Sequence, residues 1–100
     1  GDLGIDLVAK TENGKYWAIQ CKCYKEDAVI NKQLVDSFIA NANRHFEDED
    51  LHTCQFDKLV WVSTTSHWGK NAIESIKNQS IQFVPIYQND FNTHLLIGQK

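Results

Sequence analysis

The clearest alternation of apolar and polar positions runs through Tyr16-Trp17-Ala18-Ile19-Gln20-Cys21-Lys22-Cys23-Tyr24. As a strand, it puts Trp17, Ile19, Cys21 and Cys23 on one face and Tyr16, Ala18, Gln20, Lys22 and Tyr24 on the other. The first face is apolar and is expected to lie on the core. The second carries an amide and an ammonium about 7 Å apart along the strand. A shorter run, Asp2 to Ala9, precedes it, and Asn13-Gly14 between the two is a hairpin-turn signal.

Loop length sets the register of this hairpin. A two-residue Asn13-Gly14 loop mixes apolar and polar positions on both faces, because a one-residue slip sends every side chain to the other side. A three-residue loop, Glu12-Asn13-Gly14 with Gly14 left-handed, pairs Ala9 with Trp17, Leu7 with Ile19 and Ile5 with Cys21. The opposite face then pairs Val8 with Ala18 and Asp6 with Gln20, with Lys22 one step further. The apolar pattern therefore predicts that Asp6, Gln20 and Lys22 form one patch.

Further along, Lys25 to Ile30 is a connector and Asn31 a helix cap. Leu34, Val35, Phe38, Ile39, Ala42 and Phe46 recur at helical spacing, predicting a helix from Lys32 to Phe46. Residues 47–56 read as an exposed acidic loop, and Lys58 to Thr64 as a strand buried on both faces. A second helix is expected from Trp68 to Asn78, capped by Thr65 or Ser66, with Ala72, Ile73 and Ile76 inward. Ile81 to Tyr87 is a last strand, placed at an edge by Pro85. Asn89 to Leu96 begins a short helix. A strand–helix–strand crossover is parallel and right-handed by strong preference. The prediction is an α/β fold: an antiparallel hairpin leading into parallel strands of one mixed four-stranded sheet.

Composition narrows the class. One hundred residues, 42% hydrophobic and 23% charged, suit one domain spanning 1–100 with an ordinary core. No 18-residue apolar run and no signal-peptide pattern are present, which argues against a membrane partner. Three cysteines, Cys21, Cys23 and Cys54, form an odd count that fits a reducing cytoplasm. Zinc held by Cys54 with His45 or His52 is disfavoured by the lack of a paired C-x-x-C. The chain lacks Met and begins inside its motif, so it is expected to be a piece of a larger protein. A net charge of −3 is poor for a self-sufficient DNA binder, since phosphate neutralisation calls for a basic surface. Lys10, Lys15, Lys22, Lys25 and Lys32 nonetheless gather on or near the hairpin.

A carboxylate, an amide oxygen and a lysine in one patch suit metal-assisted phosphate chemistry. Mg²⁺ takes hard oxygen ligands, and lysine places a compact positive charge beside the reacting phosphate. The run Gly1-Asp2-Leu3-Gly4-Ile5-Asp6-Leu7 followed by Ile19-Gln20-Cys21-Lys22 resembles the restriction-endonuclease-like superfamily, known by its PD-(D/E)xK motif. It resembles the Mrr-like branch in particular, where glutamine replaces the second acid. The stretch Ser63-Thr64-Thr65 to Trp68-Gly69-Lys70-Asn71-Ala72 is similar to the N-terminal nuclease domain of type ISP restriction–modification and helicase proteins. This resemblance implies Mg²⁺-dependent cleavage of DNA, with Mn²⁺ as an alternative ion. Asp6, Gln20 and the Cys21 main-chain carbonyl would bind the metal, Asp2 would be a weaker ligand, and Lys22 would activate the attacking water. It also implies helicase, methyltransferase or target-recognition domains in the parent chain, and a helix before the first strand. Lys25, Gln33, Thr64, Thr65, His67 and Lys70 are candidate DNA contacts, several beside a helix N-terminus where phosphate is attracted.

Overall fold

The computed structural model describes residues 5–25 and 27–87. Asp2 and the helix expected over 89–96 lie outside them. The hairpin forms in the register set by the three-residue loop. Strand β1 (Leu7–Lys10) runs antiparallel to β2 (Tyr16–Lys22), pairing Leu7 with Ile19, Val8 with Ala18 and Ala9 with Trp17. Gly14 sits at φ +82°, and the turn closes through Thr11 N–H to Lys15 O (2.8 Å) and Gly14 N–H to Thr11 O (3.0 Å). A Cβ at Gly14 would meet nothing within 4 Å, so the backbone angle alone calls for glycine there.

After β2 the chain enters α1 (Lys32–Ala42), a small hairpin β3 (Phe46–Glu47) and β4 (Thr53–Cys54), then β5 (Phe56–Ser63), α2 (Lys70–Lys77) and β6 (Gln82–Tyr87). The main sheet has the order β1-β2-β5-β6. β5 is parallel to both β2 and β6, so the mixed α/β sheet expected from the sequence is present. Pro85 lies on the edge strand β6, opposite Trp61.

Which side of β2 is buried reverses the expectation. Ala18 is fully buried and Gln20 is 3% exposed, whereas Trp17 and Ile19 are half-buried and Cys21 and Cys23 are exposed. The core consists of Ala18, Leu59 and Trp61 from the sheet, Val35, Phe38 and Ala42 from α1, Ala72 from α2, and Ile30 and Phe56. Alternation within one strand separates its faces but does not say which one a helix will cover. The hand of the β2–α1–β5 crossover decides that. Ala18 contributes little bulk, which leaves room for Phe38 to lie against Trp61, with ring centroids 5.9 Å apart. Val60 is also buried, at 6% exposure, as expected for a central strand with apolar residues on both faces.

Helix α1 starts where predicted, the Asn31 side chain accepting Leu34 N–H at 3.1 Å. It stops at Ala42, four residues early. Asn41 and Asn43 turn their side-chain amides onto the Ser37 and Ile39 carbonyls, a competition with the helix that asparagine favours. Phe46 leaves to stack on Phe56 at 4.6 Å and to meet Tyr16 edge-on at 5.1 Å. Residues 47–56 are likewise not one open loop but contain β4, which pairs Cys54 with Phe46. Helix α2 begins at Lys70 with Gly69 as its cap, not Thr65 or Ser66. Thr65 is drawn away by the connector: it donates to Ala28 O (2.9 Å) and accepts His67 N–H (3.2 Å). Ala72 is buried as expected, but Ile73 is 39% exposed; over β6 it is Trp68 that packs, its ring 5.8 Å from that of Phe83 and its Nε1–H donating to Tyr87 Oη at 2.6 Å.

Candidate active site

The start of β1 and the carboxyl ends of β2 and β5 meet at one end of the sheet, the usual place for a ligand in an open α/β sheet. Regular pairing of β1 stops at Leu7. Asp6 N–H donates to Ile19 O at 3.0 Å, one residue off the Leu7–Ile19 pair, and the Asp6 carboxylate accepts Cys21 N–H at 2.9 Å. Asp6 therefore braces the backbone of β2 with its side chain where a further rung of the ladder was expected, and Ile5 packs against the core instead of pairing with Cys21. An extended residue sends its N–H and C=O out by the same strand edge, so the Cys21 carbonyl leaves β2 on the Asp6 side. Lys22 O turns the other way and accepts Thr64 N–H at 3.3 Å.

Gln20 and Lys22 point to the helix side of β2. Gln20 is buried beside Trp61, its partner in the β2–β5 register, and Lys22 is half-buried one step closer to the sheet's end. Asp6 is exposed, and the Lys22 ammonium lies within electrostatic reach of its carboxylate. Partial desolvation first, then the nearby Asp6 and Cys23, push the Cys21 thiol above its ordinary range. Among the described residues, the buried Trp61 Nε1 and Tyr24 Oη have no hydrogen-bond partner.

The other residues singled out in the sequence divide into two groups. The Thr64 hydroxyl accepts Tyr24 N–H at 2.7 Å and donates to Tyr24 O at 3.0 Å, and the Thr65 hydroxyl is taken up by Ala28 and His67. These hydroxyls tie the loop after β5 to the connector after β2. Lys25, Gln33, His67 and Lys70 are exposed on loops and helix starts at the same end of the sheet. His67 also sits 3.8 Å from Asp27. Gln33 and Lys70 line one cleft with Asn31, Lys32 and Gly69.

One cluster was not legible as a unit. Asp48, Asp50 and His52 bring their ligand atoms within 4.8 Å of one another, and Cys54 Sγ lies 3.7 Å from Asp48 Oδ2. Alternate positions across the tight β3–β4 turn were the only signal. Asp48 accepts the His52 and Asp50 backbone N–H groups at 2.9 Å each, and these bonds, that of His52 foremost, hold its carboxyl below the usual carboxylate range. This cluster lies beside the Tyr16–Phe56 end of the sheet, roughly 20 Å along the strands from Lys22 and Ser63. Its hydrogen bonds build the turn. As a set of carboxylate and imidazole donors it is also a possible place for a divalent cation.

The chain matches the Mrr_cat_2 family model, described as restriction endonuclease, over residues 1–95. It belongs to the restriction endonuclease family. No curated protein and no solved structure matches the chain. Restriction endonucleases are nucleases that act on DNA and generally use divalent metal ions, and the mixed α/β sheet agrees with a restriction-endonuclease-like fold. Among the described residues of this family member, no helix is long and apolar enough to cross a membrane.

Proposed function

We propose that this chain is the Mg²⁺-dependent DNA-cleaving module of a larger restriction–modification protein of the type ISP kind, working in the cytoplasm. The observation that carries this reading is the Asp6 carboxylate held against Cys21 N–H, beside the Cys21 carbonyl edge and the Lys22 charge. The donors there are a carboxylate, a main-chain carbonyl and the Gln20 amide, all oxygens, as a hard divalent cation prefers. Asp6, Gln20 and Cys21 would hold the ion, with Mn²⁺ acceptable in its place and Asp2 as a further acid. A bound ion would lower the pKa of water and offset charge on the phosphoryl oxygens.

The chain's own residues do the rest. Asp6 orients the site through its bond to the β2 backbone. Lys22 hydrogen-bonds the attacking water and offsets negative charge as the phosphorus gains a fifth oxygen. Gln20, packed beneath the helices, keeps its amide in one place. Lys25, Gln33, His67 and Lys70 are positioned to touch the DNA backbone. A net charge of −3 leaves most of the grip on DNA to neighbouring domains.

One observation favours a second reading, a nuclease-derived module that binds DNA or a partner without cutting. Gln20 stands where a second acid would strengthen metal binding, leaving Asp6 as the one carboxylate of the described set. Plasmid nicking separates the two. The protein with Mg²⁺ or Mn²⁺ is expected to relax supercoiled DNA, a chelator to stop it, and Lys22→Ala to slow it by about a hundredfold or more. DNA binding without metal-dependent nicking by the wild type would favour the binding module. Nicking by Lys22→Ala at the wild-type rate would remove Lys22 from the mechanism.

A further inference from the structure

Thr64 stands out because its hydroxyl does the work of a strand. The parallel pairing of β2 with β5 ends at Lys22 and Ser63. Beyond it, Thr64 N–H reaches Lys22 O at 3.3 Å, and the Thr64 hydroxyl makes both bonds to Tyr24, accepting its N–H at 2.7 Å and donating to its C=O at 3.0 Å. One residue thereby grips the backbone at Lys22 and again two residues later. The grip is reinforced nearby: Ser63 Oγ donates to Thr65 O at 2.7 Å, Thr65 Oγ1 to Ala28 O at 2.9 Å, and Ile30 N–H to His67 O at 2.8 Å. The Tyr24 ring, two residues past Lys22, packs against the core. Lys22 is therefore followed directly by a segment anchored from two directions.

We infer that Thr64 is a positioning residue for Lys22: its paired hydrogen bonds to Tyr24 set the direction in which the Lys22 side chain leaves β2. The inference rests on the proposed cleavage reaction and adds a residue that does not touch DNA. A lysine ammonium sits at the end of a flexible four-carbon stem, so the direction of the Cα–Cβ bond from which that stem leaves bears on where the charge can reach. Catalysis is sensitive to that placement, since an error of about 1 Å at a reacting group can cost a hundredfold in rate.

The test is steady-state cleavage of a metal-loaded DNA substrate by the wild type, Thr64→Val, Thr64→Ser and Lys22→Ala, well below each variant's melting temperature. Valine keeps the shape and removes both bonds, whereas serine keeps the hydroxyl. Thr64→Val is expected to lower kcat by roughly tenfold or more with KM within about twofold of wild type, and Thr64→Ser to restore most of kcat. A rise in KM at unchanged kcat would make Thr64 a DNA contact and overturn the inference. So would a lowered melting temperature with normal kcat, which would make its role purely structural. Lys22→Ala keeps this question apart from the proposed reaction: if Lys22→Ala cuts like wild type, the cleavage mechanism fails, whereas if only Lys22→Ala is impaired, the inference about Thr64 alone fails.

Discussion

Replacing Asp6 with alanine is expected to lower metal-dependent DNA cleavage by about a thousandfold or more, equivalent to about 4 kcal/mol of transition-state stabilisation. Two losses combine in this variant. The site loses its exposed carboxylate, the strongest of its oxygen donors for a hard cation, and Cys21 N–H loses the acceptor that fixes it at 2.9 Å. Asp6→Asn separates them, because an asparagine oxygen can still accept from Cys21 N–H but carries no charge. It is expected to retain the strand geometry and lose most of the cleavage. Quantitative nicking of supercoiled plasmid at saturating Mn²⁺ reads both variants, with the melting temperature as a control. Asp6 is exposed at the sheet's end, so Asp6→Asn should leave that temperature nearly unchanged, and Asp6→Ala should lower it only by the few degrees that one lost hydrogen bond is worth.

Phe38→Ala is expected to be among the most damaging truncations of the core, costing about 3–5 kcal/mol of folding stability. Phe38 is fully buried on α1 and touches both partners that close the helix onto the sheet, with Trp61 at 5.9 Å and Phe83 at 6.3 Å between ring centroids. Truncation leaves a cavity that the rigid β5–β6 pair cannot collapse to fill. A domain of this size commonly has only about 5–15 kcal/mol of stability in total. The midpoint of urea unfolding measures the loss, and a loss below about 1 kcal/mol would contradict this account of the core.

The parts of the fold that were legible from sequence are those where a few discrete alternatives compete. For the hairpin, only one loop length pairs Leu7 with Ile19 and Ala9 with Trp17, so apolar matching settled the register. Asn31 was legible because a side chain that caps a helix is also a poor choice inside one. The buried side of β2 was not legible, because Trp17 and Ile19 are more apolar than Ala18 and Gln20, yet the crossover places α1 over the latter. The early end of α1 depended on Phe46 preferring Phe56 and Tyr16, contacts distant in sequence from the helix pattern.

The candidate site shows the same division. Bringing Asp6, Gln20 and Lys22 to one end of the sheet followed from pairing and alternation alone. The local detail did not: Asp6 uses its side chain to hold Cys21, and alternation carries no information about a side chain that replaces a backbone partner. The grouping of Asp48, Asp50 and His52 depends on a turn in which Leu51 takes φ +62°. An unbranched strand or loop pattern gives no hint of that bend.

Among the described residues, oxygen donors that suit a divalent cation gather at both ends of the sheet, around Asp6 and Cys21 and around Asp48, Asp50 and His52, and the proposed cleavage places the ion at the end with Lys22. Titrating Mn²⁺ into isotope-labelled protein and following amide signals by NMR distinguishes them, because the paramagnetic ion broadens nearby amides first. Asp6, Cys21 and Lys22 are expected to broaden at low Mn²⁺, and Asp6→Ala is expected to abolish this. Broadening confined to Asp48, Asp50 and His52, with Cys21 and Lys22 sharp throughout, would contradict that placement of the ion.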